Sequence, residues 1–300
     1  YFCIFSEALA PNPKSDVKHQ KQKSDLRAIF GYSMTAVSAA CLLATVIPLF
    51  AVLIFVAIQG FRSINLNLFL KLPPAPGLAG GGVGNAIIGT FIVVAIATVI
   101  AVPIGVLSAV YLSEFSGDNQ VARAVRFATN LLSGIPSIIA GVFAYGALVS
   151  SGLFGFSAIA GGVALAVLML PTIIRTTDEA LQIVPQDIRW AALGVGAYKY
   201  QTVLFVVLPA ALSSIITGVT LAIARAAGET APLIFTALYS NFWPRGLKEP
   251  IATLAVLVYN FASVPYKSQQ ELAWAASLLL VFLVLITNIT ARFFTRKKAY

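Results

Sequence analysis

Two opposite charges lie four residues apart in an otherwise apolar stretch of this chain. They are Arg225 and Glu229, in the sequence ITGVTLAIARAAGETAPLIFTA. A charge inside a bilayer costs at least about 2.5 kcal/mol. Residues at i and i+4 of a helix share one face, where opposite charges partly neutralise each other. That face is therefore expected to line a bundle interior or a water-filled path rather than to contact lipid.

An arginine in such a place can attract an anion, and a neighbouring carboxylate can keep the attraction weak enough for release. The sequence therefore favours a role in which Arg225 offers charge to an anion in transit while Glu229 holds its guanidinium. The alternative is an ion pair that only fixes how the helices pack. Both interpretations remain open at this point.

Small residues and a proline mark a second candidate site. Gly134, Pro136, Ser137 and Gly141 lie together in an apolar stretch. Small residues let helices pack closely, whereas a helix broken at proline exposes backbone N–H groups and the Ser137 hydroxyl to an anion. The two interpretations are about equally supported. The predicted pathway residues are therefore Arg225, Glu229, Ser137 and Thr230, the residue that follows Glu229.

A third distinctive stretch is polar and covers residues 178–209. Pro185 suits a first helical position, and Asp187 in the first turn complements the helix dipole. A small apolar face follows with the i, i+3, i+4, i+7 spacing of a helix, formed by Ile188, Ala191, Ala192 and Val195.

Two glycines, Gly194 and Gly196, are expected to end this short helix, and a second helical run is expected from near Tyr198 to Pro209. A short amphipathic helix with a sharp turn is suited to the groove of a soluble partner. A helix that lies on the bilayer surface is the other interpretation.

The composition indicates what kind of protein positions these groups. Hydrophobic residues make up 59% of the 300 residues and charged residues 10%, and the mean hydropathy is +0.89. Soluble domains carry about a quarter charged residues, so this is predicted to be an all-α integral membrane protein. The net charge of +9 is scattered without an aromatic-basic motif, so no nucleic-acid partner is expected.

Few residues could hold a cofactor or metal. The two cysteines, Cys3 and Cys41, are far apart, and His19 is the sole histidine, so neither a metal site nor a disulfide framework is expected. The sequence contains no phosphate-binding Gly-x-x-x-x-Gly-Lys-Ser/Thr loop. We therefore expect no catalytic residues, no metal and no cofactor in this chain.

Hydropathy predicts about six membrane spans. Residues 1–28 are predicted to be a disordered cytoplasmic tail and residues 29–300 a transmembrane domain. The apolar residues 251–261 are too few to cross, which favours a re-entrant or interfacial helix. The predicted spans are residues 31–58, 85–112, 127–149, 157–174, 210–238 and 272–294.

The distribution of basic residues predicts the orientation. Fourteen of the 20 Lys and Arg residues lie in the two terminal segments and in the connections after the second and fourth spans. The positive-inside rule places these parts, and so both termini and residues 178–209, in the cytoplasm.

The polar stretch also resembles a signature of the membrane subunits of bacterial ABC importers: EAA, three residues, Gly, nine residues, then Ile-x-Leu-Pro. Here Trp190-Ala191-Ala192 precedes Gly196, and Val206 to Pro209 follow nine residues later. Trp190 stands in the Glu position and Val206 in the Ile position. The resemblance implies a type I ABC importer fold with a cytoplasmic coupling helix. Its contacts with the ATPase would involve Asp187, Ile188, Ala191, Ala192 and Gly196.

Three further segments resemble PstA-type subunits of the bacterial phosphate importer. They are ARAAGETAPLIFTA at residues 224–237, GIPSIIAGVFAYG at residues 134–146 and RTTDEALQIVP at residues 175–185. The resemblance implies an inner-membrane heterodimer with a PstC-like permease, two PstB-like ATPases that bind ATP and Mg, and a periplasmic phosphate-binding protein. It also implies that Arg225 and Glu229 are needed for phosphate passage.

Three other functions remain open from the sequence. A single Arg–Glu pair does not separate tetrahedral anions, so a permease for sulfate or molybdate is the nearest alternative. A secondary carrier would work without an ATPase and would leave residues 178–209 unexplained. A membrane-embedded enzyme is disfavoured because clustered His, Cys or paired carboxylates are lacking.

Overall fold

A computed structural model describes residues 13–117 and 119–296, which are mostly helical and contain no strand. The described residues divide into two compact units, one that ends at Phe55 and one that begins at Val56. In chain order the α-helices are α1 Pro13–Phe61, α2 Leu66–Leu70, α3 Gly84–Val110, α4 Gln120–Gly134, α5 Ser137–Ala144, α6 Ala158–Ile183, α7 Gln186–Gly194, α8 Lys199–Thr202, α9 Leu208–Gly228, α10 Ala231–Thr236, α11 Leu254–Ala262 and α12 Lys267–Arg296.

Three wider π-helical turns extend or join these helices. Tyr111–Phe115 continues α3, Tyr145–Ser150 continues α5, and Val203–Val207 joins α8 to α9. Such turns often occur at functional sites.

The prediction of about six membrane spans is confirmed. Within the described ranges, five helices are long and apolar enough to cross a membrane: Phe30–Phe61, Gly84–Phe115, Ala158–Ile183, Lys199–Gly228 and Lys267–Thr290. The sixth is a pair, Gln120–Gly134 and Ser137–Ser150, bent by 110°. The predicted third span is therefore broken. Pro136 explains the break because it disfavours helical backbone at Ile135 and cannot donate a backbone hydrogen bond.

The N-terminal tail departs from its predicted disorder. α1 begins at Pro13, so residues 13–28 of that tail are helical, while residues 1–12 lie outside the described residues. A helix extends easily from a turn that already exists, and the apolar span that follows supplies that turn.

The fifth span differs from the prediction in both its bounds. α9 ends at Gly228, Glu229 is extended, and α10 begins at Ala231. A continuous helix would press the Pro232 ring against the Gly228 carbonyl, whereas a proline is well placed in the first turn of a new helix. Pro232 therefore lies on a different helix from Arg225.

The start of this span was also predicted wrongly. Pro209 was expected to end a helical run, but residues Lys199–Gly228 form one continuous span. The π-helical turn precedes the proline, and within it the Leu208 N–H donates to the Val203 carbonyl five residues back. This wider turn gives room for a ring that would clash with a regular α-helical turn.

Close helix contacts hold the bundle together. α3 packs along α6, and α6 along α9. A Cβ added to Gly105 of α3 would lie 2.7 Å from a side-chain atom of Ile173 in α6, and one added to Gly162 of α6 would overlap Ile96. Small residues at these positions allow the backbones to approach, which is how helices associate where water does not drive burial.

Two short helices pack on the longer ones. α10 contacts α5, where a Cβ on Gly141 would lie 2.7 Å from the Pro232 Cα. This close approach supports the packing role for Gly141. The apolar residues 251–261 include a short helix, α11, which packs against α12 and buries Leu257 and Phe261.

Candidate functional site

Arg225 and Glu229 are brought together, although not on one helix face. The Arg225 Nε lies 3.5 Å from Glu229 Oε1, with Arg225 in the last turn of α9 and Glu229 just beyond it. The Arg225 side chain is 72% exposed and that of Glu229 18% exposed. A single contact of this length leaves most of the guanidinium free, and exposed pairs of this kind contribute little to stability. The geometry therefore suits a cation that can still accept another anion.

The pair faces a groove between α6 and α9. A shallow pocket there includes both charges together with Leu168, Met169, Thr172, Ala222 and Ala226. Its wall is apolar apart from the threonine and the two charges, so the ion pair is the main electrostatic feature of the groove. An anion in this groove would meet Arg225 first, because Glu229 is largely covered.

The two other predicted pathway residues lie at helix breaks. Ser137 is the first residue of α5, and Thr230 separates α9 from α10. The packing of α10 on α5 brings these helices together. Neither Ser137 nor Thr230 is among the residues that line the pocket with Arg225 and Glu229.

The short helix predicted in the polar stretch is confirmed as α7, Gln186–Gly194. Pro185 caps it instead of being its first residue, a difference of one position. The Gly196 N–H donates to the Leu193 carbonyl at 3.0 Å, and the Ala197 N–H donates to the Ala192 carbonyl at 3.1 Å. These two bonds form a Schellman motif, whose C′ position needs a left-handed backbone. Gly196 supplies it with φ of +92°.

The face predicted for partner contacts is free in this chain. Asp187, Ile188 and Ala191 are exposed, and Ala192 is half-buried. Trp190, which replaces the signature glutamate, is 66% exposed. An exposed apolar face on a short helix outside the bundle can bind in the groove of another protein.

One buried ion pair was not predicted. The Arg189 Nη2 donates to Glu114 Oε1 at 2.7 Å, and its Nε donates to Oε2 at 3.4 Å. The side chains are only 10% and 8% exposed. The same guanidinium donates to the carbonyls of Leu181 and Val184 near the end of α6.

A second contact lies beside this pair. The Lys199 ammonium lies 5.4 Å from the centre of the Phe115 ring, a cation–π distance. Glu114 and Phe115 are consecutive residues of the π-helical turn after α3. This turn therefore contacts both α7 and α8. Two features of the sequence could have indicated this pair: the acidic residue at the end of the second apolar span, Glu114, and the single arginine of residues 178–209, Arg189.

Comparison with known proteins places the chain in a family. Residues 101–300 match the family model described as "Binding-protein-dependent transport system inner membrane component". The chain is 42% identical over 242 residues to a phosphate transport system permease protein PstA from Yersinia pestis, covering 81% of this chain and 82% of that protein. It is also 42% identical over 240 residues to PstA from Haemophilus influenzae, covering 80% and 84%.

Solved structures share the fold. A bacterial alginate ABC transporter, in complex with an alginate-bound periplasmic protein, matches with a TM-score of 0.64 at 16% identity, over 92% of this chain and 96% of that one. The inward-facing MetNI methionine ABC transporter matches with a TM-score of 0.56 at 23% identity, over 73% and 95%. The fold is thus that of type I ABC importer permeases. The family match and the apolar helices show a multi-pass inner-membrane transport component.

The sequence matches cover most of the chain. The chain belongs to the family of binding-protein-dependent inner-membrane transport components, and within it to the PstA-type permease proteins.

Proposed function

We propose that this chain is the membrane-spanning subunit of an ATP-driven importer of inorganic phosphate. The observation that carries the proposal is the open Arg225 guanidinium, which faces a groove in a chain 42% identical to phosphate transport system permeases. A guanidinium binds phosphate oxygens with directed hydrogen bonds, and its exposure here leaves room for them.

The two charges would divide the work of binding and release. Arg225 would attract phosphate into the groove between α6 and α9, while Glu229 would oppose tight retention through its own negative charge. Ser137 and Thr230, at the helix breaks, would supply hydroxyl groups along the same path. A PstC-like permease subunit would supply the other half of the path in a heterodimer.

The energy would come from separate subunits. Two PstB-like ATPases would bind ATP and Mg, and α7 would enter a groove on one of them through Asp187, Ile188, Ala191 and Ala192. Closure of the ATPases would move α7, and the spans would rock to open the path to the other side. The sequence supports this division because it contains no phosphate-binding loop of its own.

The orientation and the supply of substrate follow from the same scheme. Both termini would lie in the cytoplasm, as the basic residues favour, and this also places α7 within reach of a cytoplasmic ATPase. A periplasmic phosphate-binding protein would deliver phosphate to the opposite face.

The test is uptake of labelled phosphate by vesicles that contain this chain with its PstC-like, ATPase and binding-protein partners. Uptake should need ATP, and unlabelled phosphate should compete with it while sulfate and molybdate should not. Arg225→Gln should abolish uptake without preventing assembly. The matched control Arg123→Gln, at another exposed arginine, should transport normally.

Each contrary result has a defined meaning. Competition by sulfate or molybdate would identify a different oxyanion as the substrate. Uptake that persists without ATP would favour a secondary carrier. Normal uptake by Arg225→Gln would reduce the charged pair to a packing feature.

A further inference from the structure

The π-helical turn Tyr111–Phe115 contacts both helices of the cytoplasmic loop, and we propose that it is the clamp that passes ATPase movement into the spans. In this proposal Glu114 is a positioning residue that acts on α7 through Arg189. The inference rests on the proposed function, because it needs an ATPase docked on α7.

The first argument is that α7 has a single buried anchor. Arg189 is the one buried residue of Gln186–Gly194. The backbone of α7 continues from α6, and α7 also contacts α8 and the turn Val203–Val207. Arg189 is the buried side chain that additionally joins α7 to the turn after α3.

The second argument is the direction of the contacts that Arg189 makes. Its guanidinium holds both oxygens of Glu114, at the end of α3, and it also donates to two carbonyls near the end of α6. A planar guanidinium held at several acceptors fixes orientation as well as distance. α7 therefore cannot tilt without pulling on the cytoplasmic ends of α3 and α6.

The third argument is that Phe115, the residue after Glu114, makes a similar contact with α8. Phe115 lies under the Lys199 ammonium at the start of α8. Two consecutive side chains of one turn thus hold the helices on either side of the sharp bend at Gly196. The loop would move with the turn as one body.

The clamp is also connected to the proposed binding groove through the packing of α3 on α6. α3 packs along the length of α6. Leu168, Met169 and Thr172 of α6 line the pocket that contains Arg225. A shift at Glu114 would therefore reach the charged groove through a continuous packed helix. Continuity alone does not establish coupling, so the test must measure coupling itself.

The decisive measurement is the number of phosphate ions imported per ATP hydrolysed by the full complex in vesicles. In Glu114→Gln the carboxylate charge is lost while its shape is kept, so the ATPase should still dock and hydrolyse ATP. The ratio should fall roughly tenfold, within the range that couplings between distant sites cover. A merely structural pair would lower the amount of complex and leave this ratio unchanged.

The matched control is Glu179→Gln. Glu179 forms an ion pair with Arg175 at 3.0 Å, but this pair is more than 60% exposed on both sides. Its loss should leave the ratio at the wild-type value. An equal fall in both variants would indicate a general effect of charge at this end of the bundle and would overturn the clamp.

If the complex that contains Glu114→Gln does not assemble, a second variant tests the clamp. Phe115 is 44% exposed, so Phe115→Leu keeps an apolar side chain and should fold. It should lower the same ratio by a smaller factor, because an exposed cation–π contact is weak. An unchanged ratio in Phe115→Leu would then contradict the clamp.

The wild-type complex separates the two proposals. If it imports no phosphate with ATP, the proposed function is wrong, and the clamp is overturned with it. If it does import phosphate and Glu114→Gln imports as many ions per ATP, only the clamp is wrong.

Discussion

The Arg189 guanidinium and the Glu114 carboxylate, 75 residues apart in the chain, meet at 2.7 Å and are almost fully enclosed. The open pair of Arg225 and Glu229 is the opposite case, with a single contact of 3.5 Å and an arginine that is 72% exposed. Burial decides what each pair can do. The enclosed pair holds two segments in one geometry, whereas the open pair leaves its arginine free to exchange partners.

The enclosed pair should be costly to break on one side. Arg189→Met would leave the Glu114 carboxylate buried without a partner, which typically destabilises a protein by about 3–5 kcal/mol. Thermal unfolding of the purified chain in detergent would measure the loss. The double variant Glu114→Met with Arg189→Met should recover much of it, since no buried charge remains. A single variant as stable as the double one would contradict this reasoning.

Removal of the opposing charge in the open pair should slow release. In Glu229→Gln the Arg225 guanidinium loses its built-in competitor, so phosphate should be held more tightly and turnover should fall. A lower KM together with a lower maximal uptake rate is the expected combination. A raised KM would mean that Glu229 positions Arg225 and does not limit its affinity.

The turn after α7 should depend on one glycine. Gly196 has φ of +92°, where a side chain costs roughly 1–2 kcal/mol. Gly196→Ala should therefore distort the Schellman turn and weaken both ATPase binding and transport. Gly194→Ala is the matched control, because Gly194 also has open space around it but no positive φ. Copurification of the ATPase with each variant would measure the difference. An equal loss of ATPase binding in both variants would show that the left-handed backbone at Gly196 is not the cause.

The exposed face of α7 should tolerate bulk in the isolated chain but not in the complex. Ala191→Leu adds volume at an exposed position of this chain, so folding should be unaffected. A packed interface has no room for the extra atoms, and such overpacking costs roughly 1–3 kcal/mol. ATPase binding should therefore fall about tenfold or more. Unaltered binding would place the docking surface elsewhere.

The contact between α5 and α10 should be sensitive to a single methyl group. A Cβ at Gly141 would come within 2.7 Å of the Pro232 backbone, which cannot move as a side chain can. Gly141→Ala should lower the unfolding temperature, whereas Gly146→Ala, with nothing within 4 Å, should not. Unfolding temperatures in detergent would compare the two. An unchanged value for Gly141→Ala would mean that the helices can separate freely.

Much of the architecture was predictable because its determinants are local. Apolar runs long enough to cross a bilayer predicted the number of spans, since span formation depends on the summed hydropathy of about 20 neighbouring residues. The bounds of α7 followed from Pro185 and the glycines at its end, which act on their own backbone. The charges Arg225 and Glu229 were conspicuous because they stand in an apolar stretch.

The positions at which helices continue or break were less predictable. Pro209 and Pro232 are the same residue type in similar apolar surroundings, yet a helix continues through the first and ends before the second. The difference lies in the π-helical turn before Pro209, which accommodates the ring. Proline by itself only predicts a disturbance of the helix.

The sequence by itself thus determined the membrane class, the spans, the short helix α7 and the residues of the open ion pair. Only the tertiary structure decided that Glu114 meets Arg189, that Phe115 meets Lys199, and that α5 touches α10. Those contacts join segments that are distant in the chain. Their partners are selected by how the helices pack, which no local pattern of hydropathy or propensity contains.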